Sequence, residues 1–479
     1  MYEQSSSAEP RWPEHFQPDV VRHAFRHAGK LSSYCLALEA WRRGLDVTLF
    51  APNATALEVT DGETTRRFDR SRSDLITNQA QRIVDNKRET TDWLRAHNVP
   101  VPDSQVFDSA SDFGSVLKTA QRFGFPVVLK PVRGSRGRGV LSHIENSEDL
   151  QAAYSHLRDE FDRKPLLLER HHFGHDYRVY VVGDQYIAAC KRIPANVIGD
   201  GTSTVAELIE IKNSKRRLNP FLSGATIKVD YEVKNKIYAA GYTLGSILPS
   251  GEHLPLRSKA NASAGGDVED VTDALPARIR QAAIAAVQAV PGLPAAGVDI
   301  LWDSNPATAE SNDFVVIEMN SRAHIGVNMY PTSGRGQDVP KAIIDSYFPR
   351  NPRPSGQHFA NLIFDLKSIN DLLSNGTAQS VTLYPPAEHG FPIRRIYTLN
   401  TTKFISRRFV NQIYRMARKF SIVCDVTTSN GSSWMTLGAG DTASLNDFLA
   451  SFTHISGEVP QQSSSTAGPL QASSRVPQS

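Results

Sequence analysis

The stretch FPVVLKPVRGSRGRGVLSH, Phe125 to His143, runs from an apolar, strand-like segment through Lys130 into Gly134, Ser135, Gly137 and Gly139, with arginines between them. Glycine lets a backbone turn sharply and bring its amides close to an anion. Lys130 would add a point charge for a phosphate, and Arg133, Arg136 or Arg138 could close over it. Taken alone, the stretch reads equally well as a basic surface hairpin. Two familiar phosphate motifs fail on spacing. The lysine precedes the glycines, unlike in a P-loop, and the helix and ribose-binding acid of a dinucleotide fingerprint do not follow. The H-R-D-L pattern of a kinase catalytic loop is also missing from the sequence.

Working outward, the chain of 479 residues is long enough for two or three domains. Its formal net charge is only +3, and acids and bases are interspersed, so bulk attraction to nucleic acid or membrane is not expected. Three widely separated cysteines, Cys35, Cys190 and Cys424, argue against a disulfide framework and a zinc knuckle, and for a reducing cytoplasm. The sequence has neither a signal-peptide pattern at its N-terminus nor a membrane-length apolar run.

The stretch around residues 32–50 reads as an amphipathic helix, a turn at Gly44 and a strand, so residues 1–85 are expected to form a small α/β domain. Helical spacing returns over Thr77 to Asn98 and ends at the prolines of VPVPD. From 86 to 350 strands and helices alternate, with a Gly-Asp hairpin turn in YRVYVVGDQYIAACKR, which predicts an α+β core. The Pro- and Gly-rich RNPRPSGQH links to a small α+β unit over 358–455. Residues 456–479 have too few large apolar side chains to build a core and are expected to be disordered.

AAGVDILW places Asp299 on an apolar strand, and FVVIEMNSR places Glu318 and Asn320 two apart on another, on one face. Three hard oxygen donors suit Mg2+, with Mn2+ as a substitute. Each acid taken singly is also an ordinary strand-end residue capping a turn.

The runs VVLKPVRGSRGRGV, LLLERHHFGHDYRVYVVGDQYIAACKRIPANVIGDGTSTVAELIE, LRSKANASAGGDVEDVTD, AGVDILW and VVIEMNS occur together, in this order. With them the chain from about Asp85 to Pro349 resembles the ATP-grasp superfamily, and within it the modules of cyanophycin synthetases and bifunctional glutathione synthetases. The resemblance implies an ATP-grasp fold and an ATP- and Mg2+-dependent carboxylate–amine ligase working through an acyl phosphate. It implies that Lys87 and Lys130 contact nucleotide phosphates under a glycine-rich cover, Gly134 to Gly139. It further implies that Glu169 and the backbone of Arg170 and His171 meet the adenine, and Asp176 the ribose. Arg192 would serve the phosphates, Arg257 and Asn261 the reacting acyl phosphate and metal, and Asp299, Glu318 and Asn320 the metal itself.

Unlike cyanophycin synthetases, the sequence shows no second, Mur-type ligase domain after Pro349, so a single ligation of amino acids or small peptides is expected. Arg322, His324 and Tyr330 are candidates for the acceptor side, or simply flank packing residues. The C-terminal unit resembles an acylphosphatase-like fold that lacks its glycine-rich phosphate loop, with Thr428 near the place of the catalytic asparagine; a structural, lid or homodimerisation role is expected. A small-molecule kinase and a nucleotide-binding regulatory module remain as alternatives on the same fold.

Overall fold

The computed structural model describes residues 9–25, 28–132, 139–161, 164–303, 314–354, 362–383, 393–399, 406–429, 432–457, 459–463 and 470–471. Near the N-terminus, the helix Ala28–Arg42 packs on a five-stranded antiparallel sheet. Its order is Ser380–Leu383, Asp46–Phe50, Ala56–Thr60, Thr65–Asp69, Arg72–Ser73. Two expectations change here. The helix is buried all round from Leu31 to Arg43, so it is not amphipathic. Its charges are tolerable there because Arg43 and Arg353 hold Glu39, at 2.5 and 2.7 Å, while Arg42 donates to the carbonyls of Leu362 and His15. The layer is also not confined to residues 1–85: its core joins Phe16, Tyr34 and Leu49 to Tyr180, Ile343, Phe364 and Leu383.

A four-stranded antiparallel sheet follows, ordered Ser104–Phe107, Leu166–Arg170, Val127–Pro131, Leu141–Ile144, with the helices Phe113–Phe123 and Ser147–Glu160 on its apolar side. The sheet that matters most for chemistry has five antiparallel strands, ordered Asp267–Asp270, Gln185–Ile193, His175–Val182, Ala295–Trp302, Phe314–Asn320. The hairpin turn forms at Gly183, whose φ of 60° suits glycine. One face of this sheet buries Val179, Val298, Ile300 and Met319 under three helices, Asn78–Asp85, Lys87–Ala96 and Ala277–Gln288. The first two replace the single helix expected over 77–98. Asn86 is extended and its side chain accepts from the amides of Arg88 and Glu89, which starts a new helix at Lys87.

Residues 195–256 close a small core of their own around Val205, Ile209, Val233 and Leu254, with a Thr204–Glu207 capping box opening the helix Val205–Leu218. The C-terminal sheet, Val423–Ser429, Ser432–Ala439, Ile393–Leu399, Gln461–Gln462, carries the helices Arg407–Lys419 and Thr442–Ser456 on one face. The expectation of a wholly disordered tail is therefore corrected. Gln461–Gln462 extends this sheet, and Leu470–Gln471 pairs in parallel with Leu362–Ile363. Backbone ladders need no apolar side chains, so composition did not reveal them. Among the described residues no helix is long and apolar enough to cross a membrane.

Candidate functional site

The second face of the five-stranded sheet is polar where the first is apolar. Asp176 and Arg178 lie two apart on one strand; Arg192 stands opposite Asp176, Asp299 opposite Arg178, and Glu318 opposite Asp299. Cross-strand partners share a face, so these five side chains form one row, and Asn320 continues it opposite Gly297. Arg178 grips Asp299 with a fork, Nε to Oδ1 and Nη2 to Oδ2, the second at 2.9 Å. Arg192 bridges two acids, reaching Asp176 at 2.9 Å from Nε and Asp299 at 3.0 Å from Nη2. Asp299 is 4% exposed. Burial alone would raise its carboxyl, but the Arg178 and Arg192 guanidiniums outweigh that and hold it below its usual range. For Asp176 burial wins, and it is pushed up to about 6 despite Arg192.

Lys87 reaches this row from the first turn of its helix, its Nζ 3.3 Å from Glu318 Oε2. Lys130 belongs to the neighbouring four-stranded sheet, where its ammonium lies 2.5 Å from Glu169 Oε2 with both side chains buried. Gly139 closes the basic loop at φ 70°, where any side-chain carbon would meet the Phe161 ring at 2.6 Å. Gly134, Ser135 and Gly137 lie outside the described residues. Lys259 Nζ donates to the Val140 carbonyl at 3.0 Å, tying the 257–261 segment to the end of that loop.

Several of the expected site residues have other partners in this structure. The amides of Arg170 and His171 donate to the carbonyls of Asp103 and Pro126, at 2.9 and 3.2 Å. Glu169 spends its carboxylate on Lys130. Arg257 is engaged by Asp230 at 2.6 Å, Glu232 at 2.7 Å and the Ala264 carbonyl, which fixes it beside the helix Tyr231–Ala239. Asn261 caps a short turn by accepting from Ser263. Tyr330 is fully buried and donates to the Phe16 carbonyl, a core role. Asp176 faces Arg192 within the row.

The sequence reading missed Arg178. The alternation in DYRVYVV was its signal, because it places residue 178 on the same face as Asp176.

The donor set fits a hard divalent cation. Two carboxylates and an amide share one face, all oxygen donors of the kind Mg2+ and Mn2+ take. Lys87 on Glu318 and two arginines on Asp299 show that this face holds positive charge. No three His, Cys, Asp or Glu side chains cluster at metal-binding distance among the described residues, since the third donor of this set is Asn320.

Residues 84–218 match the family model of the RimK-like ATP-grasp domain. A cyanophycin synthetase from a Nostoc species is 34% identical over 266 residues, covering 55% of this chain and 29% of that protein. The glutathione biosynthesis bifunctional protein GshAB of Clostridium perfringens is 27% identical over 343 residues, 67% of this chain and 41% of that one. Among solved structures, a bifunctional glutathione synthetase from Pasteurella multocida matches with a TM-score of 0.54 at 26% identity, over 67% of this chain and 43% of that one. The chain thus spans less than half the length of each of these relatives.

Proposed function

We propose, from the premise that the chain carries a RimK-like ATP-grasp domain, that it is an ATP- and Mg2+-dependent ligase joining the carboxylate of one amino acid or small peptide to the amine of another. The observation that carries this reading is the row Asp176, Arg178, Arg192, Asp299, Glu318 and Asn320 on one sheet face, with Lys87 brought to its end. In the reaction, a substrate carboxylate oxygen attacks the γ-phosphorus of ATP, and ADP leaves. The amine then displaces phosphate from the acyl phosphate, giving an amide, ADP and phosphate.

Asp299, Glu318 and Asn320 would hold Mg2+, which would supply positive charge to offset that of the ATP phosphates. The chain's own residues do the positioning. Arg178 fixes the Asp299 carboxylate in one orientation, and Arg192 locks Asp176 and Asp299 together, so the face enters the reaction already organised. Lys87 and Lys130 supply point charges for the phosphates. His171 and the 57% exposed Phe173, with ring centroids 4.8 Å apart, offer an aromatic surface beside the expected adenine position. Arg257 would act on the acyl group only by leaving Asp230 and Glu232. A cytoplasmic setting agrees with three buried, free cysteines. The C-terminal unit is assigned a structural or homodimerising role.

The test is ADP and phosphate release from Mg-ATP with panels of amino acids, singly and in pairs. Phosphate release that requires a carboxylate and an amine together supports ligation. A phosphorylated product without free phosphate would mark a kinase, and binding without turnover a regulatory module.

A further inference from the structure

A second concentration of positive charge lies next to the row, built by a hairpin outside the ATP-grasp match. Thr65–Asp69 and Arg72–Ser73 pair antiparallel, leaving Arg70 and Ser71 as the turn. Arg70 sits at φ 60°, the left-handed region, which strains a residue with a side chain. Ser71 Oγ donates to the Ala323 carbonyl at 2.6 Å. Ala323 in turn lies against Gly297, where an added carbon would meet Ala323 Cβ at 2.7 Å and Arg178 Cδ at 2.9 Å. The hairpin tip is therefore pinned one residue layer from the Arg178–Asp299 pair.

Two guanidiniums meet there, with Arg70 on the turn of the same hairpin. Arg322 reaches Asp69 at 2.8 Å and Arg72 reaches the same oxygen at 3.4 Å, so one carboxylate serves two arginines. Burial and the nearby Arg322 push Arg72 below its ordinary value against the pull of Asp69 and Asp85, with Arg70 adding a smaller repulsion. Arg70 Nε is buried and meets no hydrogen-bond partner among the described residues. Its side chain lies over Gly29, where an added carbon would stand 3.0 Å from Nε. Gly29 lies near the start of the helix Ala28–Arg42, and the first turn of that helix carries no acid.

We propose that Arg70, Arg72 and Arg322 form an anion site that takes a carboxylate the reaction does not consume, selecting a substrate with an additional acid group. Forked guanidiniums match carboxylate geometry, and Asp69 occupies part of that site as an internal counter-charge. The assignment of the anion to the substrate rests on the ligase reading; the anion site itself does not.

The test is calorimetric binding of succinate and of tricarballylate to the full chain without metal, with ATP binding as a second arm. Arg322→Gln and Arg70→Gln should each weaken binding of the two acids at least tenfold while changing ATP affinity less than twofold. Arg72→Lys, which keeps the charge, should lose less than Arg72→Gln, and circular dichroism checks that each variant is folded. Asp69→Asn should tighten binding. Undetectable binding by the unmodified chain, equal affinity in all variants, or an equal loss in Asp69→Asn would overturn the proposal. A parallel loss of ATP affinity would overturn it by assigning the trio to nucleotide phosphates. If amide formation is absent but succinate still discriminates the variants, the ligase reading fails and the anion site stands.

Discussion

Glu39 and Asp299 are both almost fully buried carboxylates, 1% and 4% exposed, and each is held by two arginines. Around Glu39 the charges close on themselves. Arg43 also meets Asp345 at 2.6 Å and the carbonyls of Asn351 and Lys341, and Arg353 also meets Asp338 at 2.7 Å. Around Asp299 the row runs on to Glu318, whose side chain is 36% exposed, and to the partly exposed Asn320. Burial of charge is therefore common to both clusters. Both clusters also reach a partly exposed acid, Asp345 in one and Glu318 in the other; what separates them is that the sheet row sets two carboxylates and the Asn320 amide side by side on one face.

That contrast can be broken by mutation. Glu39→Ala should cost about 3–5 kcal/mol, because it removes the buried acid that two guanidiniums share, while ADP release per folded molecule stays unchanged. Denaturant titration checks the first and a coupled assay the second; a loss under about 1 kcal/mol would mean that the closed cluster is not structural. Glu318→Ala should do the reverse, lowering turnover by roughly 10²–10³ with less than about 1 kcal/mol of stability lost, since its pair with Lys87 is partly exposed. Lys130→Met falls between them. It leaves Glu169 buried without its ammonium, and should weaken ATP binding about tenfold, near 1.4 kcal/mol, as read by fluorescence titration.

The smallest effect is in pH. Asp176 has its carboxyl raised to about 6 by burial, so the folded chain binds a proton that the unfolded chain has released, and stability falls as pH rises from about 4 to 6. Asp299 works the opposite way, its contribution being lost as pH falls below the usual carboxylate range. Asp176→Asn should flatten the decline above pH 4 by about 1–2 kcal/mol in denaturation curves taken at each pH, and an unchanged slope would refute the assignment.

The sequence made the row half legible. The apolar runs AAGVDILW and VVIEMN read as strands, and a strand's period of two put Glu318 and Asn320 on one face. Arg178 and the Arg192 bridge depend on which strands are neighbours, and register between segments 120 residues apart is not written in either one. The helix Ala28–Arg42 misled for a related reason. Its polar residues suggest an exposed side, yet their partners arrive from 338–362. The strand Ser380–Leu383, which completes the N-terminal sheet, was invisible as a neighbour for the same cause. Arg70 and Arg72 were not singled out in the sequence, since it is Ser71's bond to Ala323 that brings their turn beside the row.

The central claim is that the Asp299–Glu318 face activates a carboxylate at the expense of ATP. Hydroxylamine trapping tests it most directly: Mg-ATP, a pool of amino acids and hydroxylamine are incubated with the chain and with Glu318→Ala, and hydroxamate and ADP are measured together. Hydroxamate formed in equal amount to ADP by the unmodified chain, and by the variant at no more than about a hundredth of that rate, is the predicted result. ADP release without hydroxamate, or equal hydroxamate from both proteins, would contradict it.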